Sequence, residues 1–423
     1  MSFLKFIPLL LLLPSCNLNS PKNLPVSEET IAKEISNSKS NSQNNLDKSY
    51  VVLVSIDGFR YDYNDLYECE NLSKFQVNAI AMRPSFPSKT FPNHYTIVSG
   101  KYPGNNGLVS NKFYDRKLKR IYSPAYREEV EDDIWYHGTP LWVLAQEQNM
   151  LSASMFWIGS EAPIRGQHPS YYYNYDEDIN HQDRVNTVIN WLLLPEEKRP
   201  HFITLYFSDT DDIGHDYGPK SAEMSETVHF IDSIIGDLQL KLDATGLPIN
   251  LIVLSDHGMK EINRFDLVNI SEYLDQENMD DAVITMNMPV MIYSSDSTFL
   301  SNSYTQLITD DRIDTYWRDS LPEHYHYSDL SRIGDIVIMP KPGYYISERD
   351  SLPSGYSTHG YVPEDCDAMQ AIFYADGPAF KDYSDFPVFE NIHVYPLVAS
   401  ILGLEYEENS IDGKKEVLAP LLK

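Results

Sequence analysis

The chain has 423 residues, and its 62 Asp and Glu against 33 Lys and Arg give a formal net charge of −29. A surface this acidic repels a phosphate-rich polymer, which excludes long nucleic acids as partners and favours small substrates. The length suffices for one large α/β domain with insertions, and no internal repeat is present.

Lys5 opens a short charged region, residues 6–13 are apolar, and Leu-Pro-Ser-Cys at 13–16 resembles a bacterial lipobox. The apolar stretch is too short to span a bilayer, so residues 1–15 read as a lipoprotein signal peptide removed ahead of a lipidated Cys16. Such a lipid ties a protein to a membrane surface without making it span the membrane. The expected location is the bacterial cell envelope, facing the periplasm or the exterior. Residues 16–47, rich in Asn, Ser, Lys and Glu, are expected to form a flexible polar tether. The catalytic domain then occupies 48–423.

Residues 51–56 are a continuous apolar run that ends at Asp57-Gly58. Residues 201–207 (His-Phe-Ile-Thr-Leu-Tyr-Phe) lead to Asp209-Thr-Asp211, and residues 251–254 end at Ser255-Asp256-His257-Gly258. These runs predict buried parallel strands with acidic residues at their carboxyl ends, where ligands gather in open α/β sheets. Residues 184–193 and 226–240 predict helices, the second with Ile231, Ile234, Ile235 and Leu238 on one face. Alternating strands and helices give the expected fold: a doubly wound, mostly parallel central sheet flanked by helices. Residues 286–349, polar and Tyr-rich with β-like runs at 289–293 and 335–339, are expected to form a small inserted subdomain near the site.

Thr90 lies in Phe-Pro-Ser-Lys-Thr-Phe-Pro-Asn-His-Tyr at 86–95. With Asp57, Asp211, His215, Asp256, His257 and His359, it completes an inventory of one hydroxyl, three carboxylates and three imidazoles. Cleaving a phosphodiester requires a deprotonated attacking oxygen and a stabilised leaving oxygen, and a pair of divalent cations meets both needs. Mixed nitrogen and oxygen donors without Cys suit zinc, and a threonine hydroxyl is a poor nucleophile unless activated. Singly, each residue has an ordinary reading: Thr90 as a helix cap, Asn111 as a turn residue, Asp211 and His215 as neighbours on a surface helix. Their joint arrival at strand ends carries the argument. His94, four residues past Thr90, is expected to be structural.

The run from Ser85 through Thr90 to Gly104, with Gly-Leu-Val-Ser-Asn at 107–111, resembles the nucleotide pyrophosphatase/phosphodiesterase family of the alkaline phosphatase superfamily. Residues 206–219 are similar to its second motif and residues 357–361 to its last. The resemblance runs from about Ser49 to near the C-terminus and implies an alkaline-phosphatase-like fold. It implies two zinc ions, one held by Asp211, His215 and His359, the other by Asp57, Thr90, Asp256 and His257. It further implies hydrolysis of phosphodiester or pyrophosphate bonds in nucleotides and related small molecules through a phosphothreonine at Thr90. Asn111 and the Thr90 backbone N–H would donate to the phosphate, and Phe91 and Tyr175 would stack on a planar base.

Two positions depart from the family pattern. Thr210 replaces a proline, and Val362 replaces an acidic residue after His-Gly-Tyr, so a backbone carbonyl is expected to orient His359 instead. The alternatives are a phosphomonoesterase on the same scaffold, a phospholipid or choline head-group phosphodiesterase, and a non-catalytic binding lipoprotein. A monoesterase would need extra cations, and Lys89 and Arg165 are the nearby candidates. A sulfatase is disfavoured because its nucleophile motif is missing. Cys69 and Cys366 are either bridged or two free buried thiols, and a monomer is expected.

Overall fold

The computed structural model describes residues 39–329, 331–349 and 355–423. The signal peptide, Cys16 and the tether up to residue 38 lie outside the described residues.

The main strands are β1 (Tyr50–Ile56), β2 (Val77–Ala79), β3 (Ser152–Met155), β4 (Tyr171–Tyr172), β5 (Phe202–Phe207) and β6 (Ile249–Leu254). They are followed by β7 (Val283–Thr285), β8 (Val290–Tyr293), β9 (Ile313–Trp317), β10 (Ile336–Pro340), β11 (Phe373–Asp376) and β12 (Tyr383–Phe386). The principal helices are α1 (Thr90–Ser99), α2 (Leu141–Glu147), α3 (His181–Leu192), α4 (Asp209–Tyr217), α5 (Ala222–Ala244), α6 (Ser297–Leu307) and α7 (Val394–Leu402).

Among the described residues the largest sheet has eight strands in the order β12-β2-β11-β6-β1-β5-β3-β4. The pairs β6-β1, β1-β5, β5-β3 and β3-β4 are parallel, and β11 joins β6 antiparallel. Every residue of β1 is buried, as a strand covered on both faces requires. Its alternating side chains feed two cores. Val51 and Leu53 pack on the side of α1, α2 and α7, whereas Val52 and Val54 pack on the side of α3 and α5. The expected doubly wound, mostly parallel sheet with flanking helices is the one observed.

Helix α5 starts where Ser221 Oγ accepts the Met224 N–H at 3.0 Å, and it buries Met224, Val228, Ile231, Ile235, Leu238 and Leu242 along one face. The predicted helices are thus present and longer than their most periodic stretches.

The inserted unit is a four-stranded antiparallel sheet in the order β7-β8-β10-β9, covered by α6. Its core takes in Val268, Ile270 and Leu274, so it begins earlier than residue 286. The domain also starts earlier than the expected residue 48. Asn41 donates to the carbonyls of Glu196 (3.0 Å) and Arg199 (2.7 Å), and Asn45 to those of Gln148 and Asn149 (both 2.9 Å). These polar side chains satisfy loop carbonyls of the domain, a use of Asn that polar composition alone does not reveal. Cys69 and Cys366 are free, buried thiols in separate clusters. Among the described residues, no helix is long and apolar enough to cross a membrane.

Candidate metal centre and active site

Three strand ends and two loops deliver the acidic and imidazole groups to one place. Asp57 follows β1, Asp211 and His215 sit one turn apart on α4 directly after β5, and Asp256-His257 follow β6. His359 follows the short strand Ser357–Thr358, and Thr90 is the first residue of α1. The elements approach closely: a Cβ at Gly58 would lie 2.9 Å from Asp211 Cα, and Gly58 has φ +65°, so both space and conformation call for glycine there.

His257 Nε2 lies 3.0 Å from Asp256 Oδ2, 3.5 Å from Asp57 Oδ1 and 3.2 Å from Thr90 Oγ1. Asp211 reaches His215 Nε2 at 3.5 Å and His359 Nε2 at 3.6 Å. The His257 and His359 rings stack with centroids 3.6 Å apart. All seven residues singled out in the sequence therefore converge.

Each of the three imidazoles is fixed by its other nitrogen. Nδ1 of His215 meets the Ser357 carbonyl at 3.0 Å, Nδ1 of His257 that of Gly258 at 2.9 Å, and Nδ1 of His359 that of Ser88 at 2.9 Å. A carbonyl only accepts, so Nδ1 carries the hydrogen, and a ring in its neutral form turns an Nε2 lone pair toward the carboxylates. Facing them, Asp57 Oδ1, Asp211 Oδ1 and Asp256 Oδ2 are buried without a hydrogen-bond partner. Three nitrogen lone pairs and three unpartnered carboxylate oxygens form a donor set that fits divalent cations.

The same crowding distorts the titrations. Burial, then the neighbouring Asp256 and Asp211 carboxylates, pushes the Asp57 carboxyl well above its ordinary range. Burial, then the charges of His257 and Lys89, pushes His359 well below its own. Burial lowers Lys89 to about 8 although three carboxylates oppose it.

Two groups of possible ligands emerge: Asp211, His257 and His359, and Asp57, Asp256 and His257. Within each, the ligand atoms lie within 4.8 Å of one another. His257 belongs to both, a sharing that the family resemblance did not imply. His215 belongs to neither group and adjoins the first through Asp211 at 3.5 Å and the His359 ring, 5.1 Å away between centroids.

Asn111 Oδ1 accepts the Phe91 N–H at 2.9 Å, which leaves its amide NH2 to donate beside Thr90. In the first turn of α1 the Phe91 N–H is taken by Asn111 and Pro92 has none, so it is the Thr90 N–H that can serve an anion at this end. His94 is structural: its ring bonds the Thr90 carbonyl at 2.9 Å and Ser55 Oγ at 2.8 Å beneath the site. The Thr210 hydroxyl donates to the Asp57 carbonyl, an anchor that a proline side chain lacks.

A cleft of about 290 Å³ opens beside Thr90 and Asp211, with Phe91 and Tyr175 among its walls. Tyr175 is 41% exposed and touches Phe156 edge-on. Arg165 does not reach it. That side chain lies on the surface and pairs with Glu147 at 2.9 Å, so its place as a nearby cation is corrected. The cation that lines the cleft is Arg127, paired with Glu161. Sequence reasoning missed both, along with the Tyr206 hydroxyl, which donates to Asp57 Oδ2 at 2.7 Å. Tyr206 had a signal, since it sits near the carboxyl end of a strand that leads to an acidic cluster. Arg127 and Glu161 had none.

A family model described as type I phosphodiesterase / nucleotide pyrophosphatase matches residues 51–362. The chain is 34% identical over 391 residues to venom phosphodiesterase CdcPDE of Crotalus durissus collilineatus, covering 89% of this chain and 47% of that protein. It is also 34% identical over 374 residues to ectonucleotide pyrophosphatase/phosphodiesterase family member 1 of Rattus norvegicus, covering 84% of this chain and 40% of that protein. The chain thus spans about half the length, or less, of these curated relatives. Among solved structures it is similar to murine ectonucleotide pyrophosphatase / phosphodiesterase 5, in an inactive form in complex with AMP. That likeness has a TM-score of 0.83 and 28% identity, and it covers 89% of this chain and all of that one. By the length of the family match, the chain belongs to the type I phosphodiesterase / nucleotide pyrophosphatase family.

Proposed function

We propose that this chain is a zinc-dependent hydrolase that cleaves phosphodiester or pyrophosphate bonds in nucleotides and related small molecules, with Thr90 as nucleophile. The observation that carries the proposal is the convergence of three imidazole Nε2 atoms and three unpartnered carboxylate oxygens beside the Thr90 hydroxyl. The activities named for the relatives support it.

Asp57, Asp211, Asp256, His215, His257 and His359, with Thr90, would hold two zinc ions, which supply positive charge to activate the attacking oxygen and neutralise the leaving one. Thr90 Oγ1 forms a bond to phosphorus as the leaving oxygen departs, and water then cleaves the Thr90 phosphoester to restore the hydroxyl. The Asn111 amide holds a non-bridging oxygen, and its Oδ1 bond to the Phe91 N–H keeps that amide aimed. Tyr206 fixes the Asp57 carboxylate through its second oxygen.

The test is turnover of a nucleotide aryl phosphodiester against the matching aryl phosphomonoester by the purified protein, with zinc measured on the same sample. Diester preference with about two zinc ions per chain is expected. Monoester preference, or full turnover by metal-free protein, would overturn the proposal.

We further propose attachment to the bacterial cell envelope through a lipid on Cys16, with the protein acting as a monomer. The lipobox-like run at 13–16 supports the attachment. Cys16→Ser should release the protein from the membrane fraction, and retention there would count against the lipid.

A further inference from the structure

The inserted unit meets the site through the turn between β7 and β8. Ser110, the residue before Asn111, donates its hydroxyl to Asn287 Oδ1 at 3.0 Å, with the Met288 carbonyl farther off at 3.4 Å. Met288 is buried in a cluster with Tyr361, and a Cβ at Gly360 would lie 2.9 Å from the Met288 Cβ. The turn is therefore wedged between the loop that carries Asn111 and the loop that carries His359. Asn287 is half-buried there. Because Ser110 holds its Oδ1, the amide turns its NH2 away from Ser110, and among the described residues no acceptor is hydrogen-bonded to that nitrogen.

From this arrangement we propose that Asn287 is a specificity-determining residue for the half of the substrate that departs. Its amide donates to an anionic phosphate oxygen adjoining the leaving oxygen, so that phosphoanhydrides gain over esters whose leaving group is a plain aryl oxygen. The proposal rests on the hydrolase reading above and deepens it.

Direction decides which half Asn287 meets. In an in-line displacement, Thr90 Oγ1 bonds to phosphorus as the bond to the bridging oxygen breaks, and that oxygen leaves with the electron pair on the opposite side. Thr90 stands beside His257. The leaving oxygen then falls to the side of Asp211, His215 and His359, the remaining ligands. The cleft walled by Phe91 and Tyr175 takes the retained half and is built without the inserted unit. Asn287 stands instead where the Asn111 loop meets the His359–Gly360 turn, between the donor to the transferred phosphate and the leaving side.

Charge explains why a held amide counts there. The chain carries a net charge of −29, so a leaving phosphate gains little from the general surface and depends on local donors. A hydrogen bond to an ionised oxygen is worth about ten- to a hundredfold in kcat/KM. Fixing Oδ1 through Ser110 means that little orientational freedom is lost when the NH2 finds its acceptor.

The experiment compares two substrates that share the retained half, ATP, which releases pyrophosphate, and the p-nitrophenyl ester of AMP, which releases p-nitrophenolate. Sharing that half cancels the contribution of the aromatic cleft from their ratio. Calorimetric binding of α,β-methylene-ATP and of AMP gives a second readout that needs no turnover, with zinc content and Tm measured on every sample. Asn287→Ala removes the donor without adding charge, whereas Asn287→Asp keeps an oxygen for Ser110 and replaces the donor with an acceptor. In Asn287→Ala, kcat/KM for ATP should fall about tenfold or more while that for the aryl ester stays within about twofold, and Asn287→Asp should lower the ratio further. Both variants should bind the methylene analogue more weakly and AMP as before. A parent-like ratio in both variants, or equal losses for both substrates, would overturn the proposal and leave Asn287 as a turn residue that seats Ser110. If the parent protein cleaves neither substrate but the variants lose affinity for the analogue and not for AMP, the hydrolase reading falls and the Asn287 contact stands. Should Asn287→Ala fail to fold, Asn287→Asp gives the same test, since it retains the Ser110 bond.

Discussion

The carbonyl oxygen of Ser88 accepts the His359 Nδ1–H at 2.9 Å, so the backbone two residues before Thr90 orients an imidazole of the candidate metal centre. The neighbouring contacts make this a staple. Ser88 Oγ accepts the Gly360 N–H at 3.1 Å and donates to the Tyr361 carbonyl at 2.7 Å, and Lys89 Nζ donates to the His359 carbonyl at 3.2 Å. This is the substitute expected where Val362 stands in place of an acidic residue. Partners of metal-ligating histidines typically influence metal affinity about 10- to 100-fold. Ser88→Ala removes the two hydroxyl bonds at a fully buried position and frees the loop that carries His359. It should weaken one zinc site by about tenfold or more in a chelator competition and leave the other nearly unchanged. Equal loss at both sites would show that the staple serves general stability instead.

Thr90→Ala should lower turnover by about six orders of magnitude, as removal of the nucleophile does in a serine hydrolase. Fold and zinc content should persist, because the carboxylates and imidazoles remain in place. A rate within tenfold of the parent protein, with a matching pH profile, would sink Thr90 as nucleophile.

His257 and His215 should behave differently. His257 Nε2 belongs to both candidate ligand groups and lies between Asp57 and Asp256, whereas His215 belongs to neither and meets the centre beside Asp211 and His359. His257→Ala should therefore deplete both metals and His215→Ala one. Elemental analysis after dialysis checks this, and the reverse pattern would contradict the geometry.

Much of this site was legible in the sequence because its residues come in short runs at the carboxyl ends of strands. Asp57 and Asp256-His257 each close an apolar run, and a covered parallel sheet aligns those ends. What the sequence hides are contacts across long separations that follow no periodic pattern. Arg127 and Glu161 meet because the turn after β3 folds back over the short helix Arg127–Val130. Ser88 and His359 are 271 positions apart, and their contact runs through a main-chain oxygen that has no residue signature. Asn41 and Asn45 look like tether composition, and it is the loop carbonyls they satisfy that draw them into the domain.

Stability should fall with acid through His393. Burial, then Lys414, holds this imidazole down at about 4 against an ordinary value of 6.5, and its Nδ1 accepts the Lys414 N–H at 3.0 Å. The folded-state pKa is the lower one, so the unfolded chain binds the extra proton between the two values. Stability is fully present above the unfolded pKa of 6.5, falls as pH drops through the window and is lost by about 4. The whole shift corresponds to at most about 3 kcal/mol. His393→Gln should lose less stability than the parent protein between these pH values, read as a shallower fall in Tm. Parallel curves for the two proteins would rule out His393 as a source of acid sensitivity.

Phe91 and Tyr175 line the cleft beside Thr90, Phe91 being the next residue on α1 and Tyr175 lying across the cleft against Phe156. Stacking on a base is worth about 1–3 kcal/mol per ring and depends on the planar face alone. Phe91→Ala and Tyr175→Ala should therefore raise KM for nucleotide esters by about five- to a hundredfold and change KM for a small aryl diester much less, since that substrate fills less of the slot. Tyr175→Phe should restore most of the loss, because it returns the ring without the hydroxyl. Equal effects on both substrates, or failure of Tyr175→Phe to recover KM, would mean that these rings shape the cleft without contacting a base.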